Sequence, residues 1–199
     1  MEGARRLAHA LTQARYDARR ALRFWWARAD REALAFALMM GSALLAFSVG
    51  VHAVLERHER ALEAARAHER ESLECLALNV YHEARGEPAE GQYAVAEVTL
   101  NRVSSPRFPD TVCEVVREQR WDEIRKRYVG GFSWTEFYSV PDPEGEAWEL
   151  ARQVAEDVYH RRVPPRVDGA LFYHATYIRP SWASHQKRVA RIGRHVFYR

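Results

Sequence analysis

The stretch Cys75–Val116, CLALNVYHEARGEPAEGQYAVAEVTLNRVSSPRFPDTVCEVV, carries two helical patterns separated by one break. Leu73, Leu76, Ala77, Val80 and Ala84 recur at the spacing of a single helix face, and Ser72 stands where an N-cap would. Gly86 and Pro88 end that pattern. At about 100° per residue, Glu83 falls roughly 20° round from Leu76, so its carboxyl sits on the margin of the apolar face beside the break. Partial burial disfavours the charged form of a carboxyl, and a carboxyl that keeps its proton near neutral pH is equipped as a general acid. Taken alone, Glu83 is more readily an exposed helix charge, as most helical glutamates are, or a partner of Arg85 or a distant arginine. His82-Glu83 also evokes a zinc-binding HExxH helix, but position 86 is glycine where that motif needs its second histidine, which excludes it.

The second pattern predicts a helix over Glu90–Val103, apolar nearly all round and therefore buried on most sides. Its polar positions Glu90, Glu97 and Asn101 form a stripe facing either solvent or a cleft. A third helix is expected over Glu146–Arg161, ended by Pro164-Pro165. Ala170–His174 reads as a strand, and Lys187–Arg191 with Val196–Tyr198 as a hairpin around Gly193. Gly131–Trp134 is an aromatic loop. Phe172 and Phe197 read as core. Trp134, Tyr173 and Trp182 are either core or a lining for the apolar faces of sugar rings.

Upstream the composition changes. Residues 1–32 hold eight arginines against four acids, with apolar positions at helical spacing (Leu7, Leu11, Ala14, Ala18, Leu22) and a tandem Trp25-Trp26, the pattern of a basic membrane-surface helix. Residues 33–55 contain no formally charged side chain, and 23 residues of helix span about 34 Å, close to a bilayer core. A single span is expected, with the arginine-rich side in the cytoplasm and everything after it outside. Residues 56–72 alternate acids and arginines, with Glu56–Arg60 and Glu63–Arg66 at supportive spacings, and read as a helical stalk. The remaining 73–199 make a domain of ordinary size. The net charge of +3 is too small to argue for nucleic acid. The two cysteines, Cys75 and Cys113, are too few for a disulfide framework and lack CxxC spacing.

The Cys75–Val116 string resembles the SleB-type cell-wall hydrolases, as do GFSW at Gly131–Trp134, FYHATYIRPSWA at Phe172–Ala183 and VARIGRHVFY at Val189–Tyr198. The resemblance covers 73–199 and none of the first 72 residues. It implies an α+β, mainly helical domain similar to the lysozyme and lytic transglycosylase fold, peptidoglycan as partner and substrate, and Glu83 as the acid/base. It also implies that Ser133, Trp134, Tyr173 and His174 line a sugar cleft. No cofactor and no metal are implied. One departure stands out: a charged insertion, Arg120–Tyr128, precedes Gly130-Gly131, where the family usually reaches its Phe-Ser-Trp loop sooner and often through Gly-Gln. That puts substrate length preference in question rather than the chemistry.

Glycosidases normally use two carboxyl groups, and no second one is obvious here. Glu87 and Glu90 are close in sequence and Asp110 lies in a matching segment, but each has a structural reading, Glu90 as a first-turn helix charge and Asp110 as a turn residue. This favours the one-carboxylate transglycosylase route, ending in a 1,6-anhydro product. A non-catalytic wall-binding protein and a phage-type lysin are the alternatives. Cys75 and Cys113 fall in the part placed outside the membrane, in the periplasm, where oxidation permits a disulfide; two buried thiols are the other reading.

Overall fold

The computed structural model describes residues 2–28, 30–123, 125–137 and 139–199, with the side chains of 2–8, 10 and 11 excepted. Arg5, Arg6, Leu7 and Leu11 of the basic arm and Ile124 of the insertion therefore lie outside the described residues or side chains. Contacts divide the chain into two units, 1–62 and 63–199.

In the first unit, α1 (Glu2–Arg28) carries the basic arm, with Trp25 and Trp26 exposed. The next helix, α2 (Arg31–Ala84), is 54 residues long, and the Asp30 carboxylate accepts a hydrogen bond from the Glu32 N–H at its start. Its apolar part reaches a mean hydropathy of 2.1 over 18 residues, none of them buried, so by length and composition it is able to cross a membrane. The helix is unbroken at Ser72. That serine is 2% exposed inside α2, not an N-cap, because the arginine- and glutamate-rich segment before it continues the helix.

The second unit is mainly helical with two small sheets. The end of α2 buries Cys75, Leu76, Ala77, Val80 and Tyr81 against α3 (Ala89–Val103), α4 (Val112–Arg117) and α5 (Gly145–Tyr159). Thr111 caps α4 by accepting a hydrogen bond from the Glu114 N–H. The insertion folds as an antiparallel hairpin, β1 (Gln119–Asp122) and β2 (Arg127–Gly130). A 3-10 turn over Ser133–Glu136 follows it. The second sheet has the order β3-β5-β4, from β3 (Phe172–Ala175), β4 (Arg188–Ile192) and β5 (His195–Tyr198), all antiparallel.

Helix α3 packs on both sides, which explains its apolar surround. Ala96 faces the helical cluster, while Ala94, Val95 and Val98 meet Val167, Ala170 and Phe197 of the sheet side. Its polar stripe is spent on the loop before β3, with Glu97 buried and Glu90 still exposed. Glu97 accepts hydrogen bonds from the Arg166 and Val167 N–H groups at 2.7 and 2.9 Å. Asn101 donates to the Val167 and Ala170 carbonyls, and Glu90 pairs with Arg166. The stripe lashes the loop that leads into β3.

Cys75 and Cys113 form a disulfide across 38 residues, joining α2 to α4. Closing a loop of that length contributes about 3–4 kcal/mol in the chain-entropy model. Reduction of the full chain is expected to lower the unfolding free energy of the second unit by that order, measured by denaturant melts with and without reductant. Superimposable melts would contradict it.

Candidate active site

Glu83 lies in the last turn of α2, half-buried, just before the chain turns at Arg85-Gly86. Three donors converge on its carboxylate. The Ser133 backbone N–H and hydroxyl reach Oε1 at 3.1 and 3.2 Å, and the Tyr173 hydroxyl reaches Oε2 at 3.0 Å. The donors come from two separate elements, the 3-10 turn after the hairpin and strand β3.

A buried chain of hydrogen bonds fixes the first of them. The Trp134 indole N–H donates to Asn79 Oδ1 at 3.0 Å, Asn79 Nδ2 donates to Thr99 Oγ1 at 3.0 Å, and Thr99 donates to the Val95 carbonyl. Asn79 is one turn before Glu83 on α2 and fully buried. The Trp134 ring stacks on His82, with centroids 4.6 Å apart. Burial, and then Arg85, lowers the His82 pKa, so the imidazole is held neutral beneath the indole.

Tyr173 is set by strand alternation. With Phe197 and His195 it faces the core side of the sheet, its ring 5.7 and 5.2 Å from theirs. Burial, and then the Glu83 charge, raises its pKa well above the ordinary 10, so the phenol remains an O–H donor. Behind both arms stands Arg102 of α3, 7% exposed. It donates to the Leu171 carbonyl at 2.9 Å, and its guanidinium lies 4.8 Å from the Phe132 ring centre. Phe132 precedes Ser133 and Leu171 leads into β3, so one buried cation steadies both donors.

His174 is not brought to Glu83. As the neighbour of Tyr173 in β3 it points to the opposite face, where Nε2 meets the Tyr198 hydroxyl at 2.9 Å and the ring packs against Trp182. Phe172 shares that face and is only half-buried, while Phe197 is fully buried.

The arrangement has a definite proton logic. The Ser133 backbone N–H is a donor in every state, so Oε1 always accepts. When Glu83 is protonated the hydrogen resides on Oε2, beside a phenol able to turn and accept. Ser133 is exposed, leaving the site open to solvent. Hollows of about 400 Å³ beside the disulfide and about 500 Å³ between α3 and α5 contain none of these residues.

The model of the Cell Wall Hydrolase family matches residues 86–198. The chain belongs to the cell wall hydrolase family. Among curated relatives of the SleB type, the spore cortex-lytic enzyme of Halalkalibacterium halodurans is 33% identical over 140 residues, 70% of this chain and 38% of that protein. The one from Bacillus subtilis is 35% identical over 127 residues, 61% of this chain and 35% of that protein. The chain thus spans about two fifths of the length of such relatives. Among solved structures, the catalytic domain of the germination-specific lytic transglycosylase SleB from Bacillus anthracis is 30% identical. It covers 64% of this chain and 93% of its own, with a TM-score of 0.49.

The matched region of this cell wall hydrolase includes a second carboxylate close in sequence to Glu83. Glu87 is 8% exposed and already engaged: Arg194 donates to it through its backbone N–H at 2.8 Å and its Nε at 2.7 Å. The β4–β5 turn can approach this closely because position 193 is glycine. Its φ is +54°, and a Cβ there would collide with Glu87 Oε2. Burial alone would raise the Glu87 pKa; the Arg194 N–H and guanidinium, with His195, outweigh it and hold it below the ordinary value. Because the folded pKa lies below the unfolded one, the stabilisation is complete above about pH 4.3 and is lost as pH falls through the folded value. Denaturant midpoints followed downward from about pH 5 should therefore fall more steeply for the wild type than for Glu87→Gln. Parallel profiles would contradict this.

Proposed function

We propose that residues 73–199 cut the glycan strands of peptidoglycan as a lytic transglycosylase, with Glu83 as the sole acid/base. The observation that carries the reading is the convergence of Ser133 and Tyr173 on one half-buried carboxylate. Family membership and the names of the curated relatives support a cell-wall substrate. The one-carboxylate route is supported by the engagement of the neighbouring acids: Glu87 is taken up by Arg194, and Glu90 and Glu97 by the Arg166 segment.

In the proposed reaction, protonated Glu83 gives its Oε2 proton to the glycosidic oxygen as the bond from the muramic anomeric carbon breaks. The carboxylate so formed is held by the Ser133 N–H and hydroxyl and by Tyr173. It then takes the proton of the muramic C6 hydroxyl, whose oxygen bonds to the anomeric carbon. The product is a 1,6-anhydro ring, and Glu83 ends protonated, ready for another turnover. Trp134, stacked on His82 at the edge of the site, offers an aromatic face to a sugar.

The span 33–55 is proposed as a membrane anchor, with 1–32 cytoplasmic and the catalytic domain on the outer side. The apolar, unburied window of α2 and the arginine excess before it support this. With 27 residues between Leu55 and Glu83, the enzyme would act on wall near its own membrane.

Glu83→Gln in the full chain should abolish clearing in a peptidoglycan zymogram, since general acid/base catalysis is worth about 10²–10⁴-fold. Tyr173→Phe should lower kcat by about 10–100-fold with KM little changed, as expected for a group acting on the acid rather than on ground-state binding. Equal clearing by wild type and Glu83→Gln would overturn the assignment.

A further inference from the structure

The hairpin β1–β2 is built inside out. Trp121 and Tyr128 are cross-strand partners and so lie on the same face, their rings in edge contact at 5.4 Å. Both are exposed, by 48% and 62%. Arg120 and Arg127 alternate with them onto the other face, and that charged face is the one fastened to the domain. Arg120 donates to Glu118 at 2.8 Å and to the Arg107 carbonyl at 3.1 Å, and its guanidinium lies 4.5 Å from the Phe108 ring centre. Arg127 pairs with Glu136 at 2.7 Å. A hairpin packed on a domain would ordinarily turn its aromatic face to the core; here that face is presented outward and its apolar surface is left wet.

The hairpin is also welded to the catalytic turn. The Gly130 N–H donates to Glu136 Oε1 at 3.2 Å, and the Gly131 N–H to the Glu118 carbonyl at 2.8 Å. A Cβ at Gly130 would collide with the Thr135 hydroxyl, so only glycine permits this approach. Tyr128 precedes Ser133 by five residues, which places its Cα within about 18 Å of that of Ser133, the residue that donates to Glu83.

Resting on the function proposed above, we propose that Trp121 and Tyr128 form an outlying sugar subsite that holds the glycan strand beyond the bond being cut. The occupant is a saccharide chain, whose apolar ring faces lie flat on aromatic rings. A lipid headgroup layer suits the patch less well. Its cations are already taken: Arg120 by Glu118, Arg127 by Glu136, Arg125 by Asp122 and Lys126 by Glu123. The subsite therefore works through ring faces, and its binding is insensitive to salt.

The test uses the full chain carrying Glu83→Gln, which reads binding without turnover, in co-sedimentation with insoluble peptidoglycan. Adding Trp121→Ala and Tyr128→Ala should weaken binding about tenfold, equally at low and high salt, as truncation of two aromatic anchors commonly does. Trp121→Tyr should restore most of the loss at its position. Both aromatic side chains are exposed, so only a small downward shift of the melting curve is expected, from the lost cross-strand ring contact. In the catalytically active chain the same pair of alanines should raise KM on sacculi. Unchanged binding would overturn the subsite, even if wild type cuts sacculi as proposed. Loss of cutting by wild type, with the binding difference intact, would instead overturn the catalytic reading. With the chain in lipid nanodiscs, quenching of Trp121 by brominated lipid, read against Trp121→Phe, would assign the patch to the membrane and overturn the subsite.

Discussion

Everything near the carboxylate depends on one buried hydrogen-bond chain, Trp134 to Asn79 to Thr99 to the Val95 carbonyl. It crosses from the turn after the hairpin, through α2, into α3, in a setting where an unmade hydrogen bond costs about 1–3 kcal/mol. That penalty selects one seat for the turn, and this seat is where the Ser133 N–H meets Glu83. Arg102 applies a comparable constraint from the other side, tying Phe132 and Leu171 to α3. Two segments distant in sequence thereby arrive at one glutamate with little freedom left, the preorganisation that the proposed acid/base role of Glu83 requires.

The same packing separates the acids. Glu83 stands at the open edge of the α2 terminus, whereas Glu87, one turn of sequence later and past the helix end, is drawn inward by Arg194 and by the absence of a side chain at Gly193. Two carboxylates four residues apart thus receive different tasks from their surroundings. One is met by neutral donors and stays open to solvent. The other is neutralised in an ion pair that closes the sheet onto the helix break.

Much of the fold was legible in the pattern of residues. The Gly86–Pro88 break, the helix that became α3 and the β4–β5 hairpin around Gly193 follow from periodicity and turn chemistry, because local sequence dictates them. The short α4 and the hairpin in the insertion were not anticipated. Ser72 misled as a helix cap: a serine is compatible with both a cap and a helix interior, and the charged segment before it decided in favour of continuity. At the site, Glu83, Ser133 and Tyr173 were named from the family resemblance and do converge. His174 was named with them but lies across the sheet, since neighbours in a strand face opposite ways. Asn79 and Arg102 were missed, and Glu87 was noted only as an acid close in sequence. Only a polar residue inside an otherwise apolar helix face could have flagged the first two, and their partners are more than 15 residues away in sequence.

The central claim is that one carboxylate both gives and recovers the proton while the substrate's own hydroxyl, not water, closes the reaction. Digestion of purified sacculi in heavy-oxygen water, followed by mass spectrometry of the released muropeptides, tests this most directly. The account predicts 1,6-anhydro ends with no heavy oxygen incorporated. Reducing ends carrying the heavy label would contradict it and require a water-activating base beside Glu83.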